Sequence, residues 1–256
     1  MKGVALVTGG SQRIGAAIVR ALAADGYGVA IHYHAAAAPA EDLAAELRKA
    51  GHRAAAFGAD FGDLESPAHL FEACTRTLGP VQVLVNNAAN FAYDTPCDVT
   101  AASLMRHLKP NLCAPLLLAR AFAEAPHAEG RAIVNLLDYK VTALNPDFFS
   151  YTLGKIAMAA ATHMLAQAFY PRIRVNAIAP GITLISGKQT PEAFARAWHA
   201  PPLGRSVTPD EICRAIRFTL DTTSLNGQIL VLDGGESLLA RPRDVAFDTE
   251  RGLGVR

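Results

Sequence analysis

Tyr151 and Lys155 stand four residues apart in the stretch IVNLLDYKVTALNPDFFSYTLGK, and Asp138 precedes the tyrosine by thirteen residues, just after an apolar run. A phenol with a pKa near 10 is a usable proton donor and a slow base at neutral pH. On a helix, a lysine one turn further on shares the tyrosine's face, and its positive charge favours the tyrosinate and lowers the phenol's pKa. A carboxyl group extends this chemistry. Neutral in a dry site, it donates a proton; ionised, it accepts a hydrogen bond from Tyr151 or fixes a water. Asp138 and Tyr151 would then titrate as a coupled pair. Each feature also has a plainer reading. Asp favours turns at strand ends, and a Tyr-x-x-x-Lys spacing on an exposed face is common by chance.

To bring these groups together the chain needs a scaffold, and short apolar runs alternating with helical patterns supply one. Val4 to Val7 is an apolar strand ending in a glycine turn, and Ile14 to Ala24 follows as a helix with Ile14, Ile18 and Leu22 four apart. GVAIHYH, RAAAFGAD, VQVLVNNA, RAIVNLL, IRVNAIAPG and QILVLDGG are further strands. Helices are expected over Glu41 to Ala50, closed by Gly51, and over Pro67 to Leu78, Tyr151 to Phe169 and Pro209 to Leu220. A longer one over Ala101 to Glu124 is expected to bend or break at Pro110 and Pro115. HAAAAPAED is an alanine-rich approach to the second helix. Strand–helix alternation with unbroken apolar strands implies an α/β fold, a parallel sheet with helices on both faces. No linker or repeat interrupts it, so residues 1–256 are expected to form a single doubly wound Rossmann-type domain.

The first strand–helix junction, VTGGSQRIG, carries Gly9, Gly10 and Gly15. A glycine turn there lets backbone approach a pyrophosphate at the positive end of a helix. The fingerprint is imperfect, because position 13 is Arg, yet a guanidinium at such a turn pairs well with an anion. NAD enzymes of this architecture often end the second strand with a carboxylate for the ribose diol. Here that strand ends HYHAAAA, so nothing repels a 2′-phosphate, and Arg13 with His34 favours NADPH. His32 and His34 equally suit satisfied strand-end histidines. Asp60 follows the third strand, where it would meet an adenine edge. Asn86, Asn87, Ala88 and Phe91 follow the fourth, on the side of the sheet where ligands bind.

Composition excludes several classes. With 24 Lys and Arg against 23 Asp and Glu, the net charge of +1 gives no field for nucleic acid or an anionic membrane. The four cysteines form no CxxC and match no zinc framework, so reduced thiols and no metal are expected. No run reaches the ~20 apolar residues of a membrane span, and the N-terminus lacks a signal-peptide core. A cytoplasmic protein is expected.

Taken in chain order, Thr8–Gly9, Asp60, Asn86–Asn87–Ala88, Asn111 in PNLCAP, Tyr151–Lys155 and RVNAIAPG at 174–181 resemble the short-chain dehydrogenase/reductase family over most of the chain. Arg13, His32–Tyr33–His34, Phe91 and Asp138 resemble its pteridine reductase branch, which has Asp where most relatives have a catalytic Ser. The chain departs from that branch at Ala35 and Ala36, where Arg and Ser usually help hold the 2′-phosphate.

The resemblance implies an NADPH-dependent enzyme that takes a dihydropterin, dihydrofolate or dihydromonapterin to the tetrahydro form. Asp138, Tyr151, Lys155 and Asn111 would be its catalytic residues, Asn111 holding a water beside the lysine. Gly9, Arg13, Ile14, His34, Asp60, Asn87 and Ala88 would bind the cofactor with Tyr151, Lys155, Pro180 and Ile182. Arg13, Phe91, Asp138 and Tyr151 would contact the substrate, the pterin lying between the Phe91 ring and the nicotinamide. Asn111 is equally read as a helix-kink residue beside Pro110, and a lone loop Phe as core. Residues 182–205 form a loop and short helix expected to close over substrate, with Trp198 most simply packing. The family also implies a homotetramer or homodimer. Two other functions stay open: a ketone or acyl reductase, whose hydroxyl at position 138 is absent, and a non-catalytic NADPH-binding sensor or scaffold, against which Tyr151 and Lys155 are both present.

Overall fold

A computed structural model describes residues 2–126, 130–187 and 189–248. Its centre is a parallel sheet of β1 (Val4–Val7), β2 (Gly28–Tyr33), β3 (Ala54–Gly58), β4 (Val81–Asn86), β5 (Arg131–Leu136), β6 (Ile173–Pro180) and β7 (Ile229–Leu232), in the order β3-β2-β1-β4-β5-β6-β7. β1, β5 and nearly all of β6 are buried, which accounts for their mostly apolar sequence; the buried Asn135 and Asn176 are hydrogen-bonded, to Thr162 Oγ1 and the Leu225 carbonyl. One face is covered by α1 (Arg13–Ala24), α2 (Ala37–Lys49) and α8 (Pro209–Asp221). The other is covered by α3 (Ser66–Leu78), α5 (Ala114–Glu124) and α6 (Phe149–Phe169). The doubly wound sheet expected from the sequence is therefore what forms. Among the described residues no helix is long and apolar enough to cross a membrane.

Two helices depart from expectation. α2 starts at Ala37, so the alanine-rich approach is its first turn. Pro39 is tolerated there because an N–H in the first turn has no intrahelical partner. The long fourth helix does not break at its prolines. α4 (Ala101–Leu108) runs through a π-helical turn, Lys109–Cys113, into α5, with the Ala114 amide reaching back to the Lys109 carbonyl. Pro110 has no N–H for the Arg106 carbonyl, which instead accepts from Asn90 Nδ2 at 3.2 Å. Pro115 likewise leaves the Asn111 carbonyl without its usual donor.

Connections after β1 and β4 diverge to opposite faces, which opens a crevice at their carboxyl ends. Thr8 locks its floor. Its buried hydroxyl accepts from the amides of Asn87 (2.9 Å) and Ala88 (3.0 Å). Asn87 Nδ2 returns bonds to the Thr8 carbonyl (2.9 Å) and the Gly9 carbonyl (3.0 Å). Thr8→Val keeps the shape and strands the Ala88 amide, while the Asn87 amide keeps the Val85 carbonyl at 3.1 Å. It is expected to cost about 1–3 kcal/mol in urea unfolding; a loss under about 0.5 kcal/mol would show the clamp to be dispensable.

Candidate active site

β5 delivers Asp138 to the crevice in extended conformation, φ −155°. Its carboxylate has two jobs. Oδ1 accepts from the Lys140 amide at 2.9 Å, capping a short 3₁₀ turn at Tyr139–Val141. Oδ2 accepts from the Tyr151 hydroxyl at 2.8 Å. One side chain thus makes the turn expected of it and also the contact with Tyr151 that the proton-handling reading requires. Tyr151 lies in the first turn of α6, and Lys155 one turn later donates to the Leu136 carbonyl at 2.6 Å. The Lys155 ammonium sits 5.6 Å from the Tyr151 ring centroid.

Burial governs the protonation of this trio. It lowers the Lys155 ammonium to about 8, with Asp138's charge opposing. It raises the Asp138 carboxyl, against the Lys140 amide, the Lys140 charge and the Tyr151 hydrogen bond, while Asp244 pushes it further up. It also raises Tyr151 well above 10, and Asp138's charge and hydrogen bond add to that rise. The expectation that Lys155 would lower the phenol's pKa is therefore reversed: desolvation and the adjacent carboxylate outweigh the ammonium. Tyr151 stands as a phenol, a donor rather than a base.

At the other end of the crevice the glycine turn is sterically committed. Gly9 has φ +60°, and a Cβ on Gly15 would lie 2.0 Å from the Gly9 carbonyl oxygen. Arg13, at φ +54°, takes a left-handed conformation uncommon for a side-chain-bearing residue. It donates across the crevice to the Ile185 carbonyl at 2.6 Å. Gln12 precedes α1 as its N-cap residue and makes no side-chain cap, which suits the helix's first amides to an anion. His32 proves to be part of this turn. Buried and stacked on Phe61, its Nδ1 accepts from the Gly9 amide at 3.0 Å, and its Nε2 lies 3.1 Å from the Ala59 carbonyl. Burial lowers it to about 4, so it is neutral.

A cavity of about 530 Å³ joins the two ends. It is lined by Gly9, Arg13, Ile14, His34, Asn87, Ala88 and Phe91, and by Asp138, Tyr151, Lys155, Pro180 and Ile182. Ala35 and Ala36 lie on the same wall and bring no carboxylate to it, although the Asp60 carboxylate, outside the cavity, lies 3.5 Å from the neighbouring His34.

Comparison with known proteins fits this geometry. The family model described as enoyl-(acyl carrier protein) reductase matches residues 9–237. The chain belongs to the short-chain dehydrogenase/reductase family. A crystal structure of FolM alternative dihydrofolate reductase 1 from Brucella suis, in complex with NADP, superposes with a TM-score of 0.89 at 41% identity, over 93% of this chain and 96% of that one. Its counterpart from Brucella canis, also complexed with NADP, gives 0.89 at 40%, over 95% and 97%. An uncharacterized oxidoreductase of Methylorubrum extorquens is 33% identical, over 91% of this chain and 96% of its own length.

Two of the positions carried over from the family do not line the cavity. Asp60 closes a turn by accepting from the Gly62 amide at 2.7 Å and lies 3.5 Å from His34 Nε2 at the surface. Asn111 sits in the π-helical turn, with both side-chain polar atoms bonded to the Asn90 backbone at 2.8 and 2.9 Å. Its side chain thus anchors the loop that carries Phe91. Trp198, in α7 (Pro191–His199), packs with its indole N–H 3.4 Å from the Val207 carbonyl.

Sequence reasoning missed part of the wall. Tyr139, Lys140, Phe148, Asp244 and Ala246 line the cavity too. Phe148, left-handed at φ +55°, stacks on Phe91 with centroids 4.2 Å apart, and Phe91 meets Tyr151 edge-on at 4.8 Å. Lys140 and Phe148 were in view beside Asp138 and Tyr151. Asp244 was not, because the last residues carry no periodic pattern.

Lys155 holds its proton less tightly in the fold, at about 8, than its ordinary 10.5. The folded state thus bears the whole cost of this charge below about pH 8 and sheds it as pH rises to 10.5. Lys155→Met is expected to be more stable than the parent by about 2 kcal/mol at neutral pH, the desolvation gain less a lost hydrogen bond. The advantage should shrink across that window. Denaturant unfolding at neutral pH and at about pH 9.5 checks both the sign and the trend.

Proposed function

We propose that this protein uses NADPH to reduce a C=N bond of a pterin ring, taking a dihydropterin, dihydrofolate or dihydromonapterin to the tetrahydro form. The observation that carries this reading is the carboxyl–phenol pair, Asp138 Oδ2 to Tyr151 Oη at 2.8 Å, in a cavity walled by the stacked rings of Phe91 and Phe148. A flat bicyclic ring suits that wall, and a C=N bond needs a proton on nitrogen. Two structural neighbours named as alternative dihydrofolate reductases support the substrate class, and their bound NADP supports the cofactor.

The residues present fit the cofactor. The uncapped start of α1 and the glycine turn at Gly9 suit a pyrophosphate, and Arg13 with His34 suits a 2′-phosphate beside Ala35 and Ala36. Pro180 and Ile182 would meet the nicotinamide end, and Lys155 its ribose. Asp60, outside the cavity, would reach the adenine edge only at the surface, next to His34. Bound NADPH supplies the hydride.

The chain's own part is the proton. With Asp138 ionised, Tyr151 spends its O–H on the carboxylate. When Asp138 is protonated the bond reverses: the carboxyl donates to Tyr151 Oη, which frees the phenol O–H for the ring nitrogen. The raised carboxyl pKa brings that form closer to neutral pH. The raised phenol pKa keeps Tyr151 protonated until nitrogen takes the proton. The Asn111 carbonyl, left without its helical donor by Pro115, suits a water that resupplies protons past Lys155.

The test is NADPH oxidation with dihydrobiopterin, dihydrofolate, dihydromonapterin and a panel of ketones. Activity on pterins is expected; activity on ketones alone overturns the reading. Asp138→Ala is expected to lower kcat by about tenfold or more with little change in NADPH affinity. Unchanged turnover would leave Asp138 only its turn-capping role. Arg13→Ala is expected to weaken NADPH more than NADH in fluorescence titration, and equal weakening would remove its phosphate role.

A further inference from the structure

The C-terminal segment after β7 folds back as a strap onto the substrate end of the cavity, and its attachment is heavily built. Asp147, 2% exposed in its side chain, receives Arg243 Nε and Nη2 at 2.7 Å each, the Asp244 amide at 2.8 Å and the Tyr93 hydroxyl at 3.0 Å. Phe247, in the terminal turn α9 (Val245–Asp248), packs edge-on against Tyr93 and parallel to Phe148. These contacts place Asp244 and Ala246 on the cavity wall, and Asp244 is the one that brings a charge.

Asp244 is held without being used up. Its Oδ2 accepts from Lys140 Nζ at 2.9 Å, and its Oδ1 accepts from the Ala246 amide at 3.1 Å. Each carboxylate oxygen can accept two hydrogen bonds, so one acceptor position stays open on each. The side chain is 10% exposed, while Lys140 is 1% exposed and has Asn145 as its further partner at 2.8 Å. The Lys140 backbone amide holds Asp138 Oδ1. The same residue therefore presents both carboxylates, one through its amide and one through its ammonium.

We propose that Asp244 is a specificity-determining residue: a second carboxylate of the substrate site that binds the donor-rich edge of a flat heterocycle whose reacting C=N bond lies at Tyr151. The chemistry is that of two open carboxylate lone pairs facing adjacent N–H donors, such as an amino group beside a ring N–H. Asp244 orients and does not transfer protons. The strap supplies it, and the Phe91–Phe148 stack supplies the flat surface beside it. This inference rests on the pterin reading for the identity of the ring, but its test separates the two.

Removing Asp244 alone would strand Lys140, so the decisive variant replaces both partners. A buried ion pair exchanged for apolar residues of similar size is often neutral in stability. The double variant Lys140→Met/Asp244→Leu and the single variant Asp244→Asn are compared with the parent. The measurements are thermal unfolding with NADPH, NADPH affinity, and steady-state kinetics with dihydrobiopterin. Both variants are expected to raise KM about tenfold or more with NADPH affinity close to the parent's; the double variant keeps the parent's unfolding temperature, while Asp244→Asn, which leaves the Lys140 charge unpaired, unfolds at a lower one. Unchanged KM, or parallel loss of NADPH affinity and substrate turnover, overturns the proposal. If the parent ignores pterins and reduces another substrate, the pterin reading fails. The same KM comparison on that substrate then decides the role of Asp244: a selective rise supports it, and no rise overturns it.

Discussion

The hydrogen bond between Tyr151 and Asp138 is the contact around which the rest is arranged; it lies between the end of β5 and the start of α6, which the Lys155–Leu136 bond also ties together. One end is set by β5 and by the cap that Asp138 makes for its own turn. The other is set where α6 starts, and that start is pinned from outside: the Phe149 amide donates to the Asp94 carbonyl at 3.1 Å and the Ser150 amide to Asp94 Oδ1 at 2.9 Å. Phe148 enters the helix left-handed, a conformation that costs of order 1 kcal/mol or more and persists only where surroundings enforce it. Here the ring stack with Phe91 and the contacts to Tyr93 and Phe247 enforce it. Burying the pair then shifts both groups toward their protonated forms.

Legibility in the sequence followed the range of the interaction. The strands were readable because each is a short, mostly apolar run between helical patterns, and their order in the sheet follows from the doubly wound pattern. The trio was readable because Tyr151 and Lys155 share one helix face and Asp138 ends a strand. The start of α2 was obscured by a proline that looks like a boundary and is in fact tolerated in a first turn. Asp60 was placed by its position after β3, and the turn it closes onto Gly62 could not be seen there; the kink at Asn111 was readable beside Pro110, but its bonds to Asn90, 21 positions away, were not. Asp244 was invisible for a different reason. Its bond to Lys140 spans 104 positions, and no periodicity announces a partner so far along the chain.

His32 shows how a residue of ordinary appearance acquires a role from burial. An amide can only donate, so the Gly9 N–H requires Nδ1 to be the acceptor, and the ring proton must then sit on Nε2, facing the Ala59 carbonyl. One imidazole thereby ties the glycine turn at Gly9 to the residue that follows β3. Desolvation keeps it neutral over the physiological range, so the tie does not depend on pH there.

The π-helical turn at Lys109–Cys113 has a geometric consequence beyond accommodating proline. One residue of helix turns the chain through about 100°, so an extra residue in the turn rotates everything that follows relative to what precedes it. The α4 half faces α6, and the α5 half sends Leu118 and Phe122 into the sheet-facing core, both fully buried. A regular helix of the same sequence could satisfy only one of these phases. The bulge that brings Asn111 to the Phe91 loop is thus also the phase corrector that lets a single continuous rod serve two differently oriented neighbours.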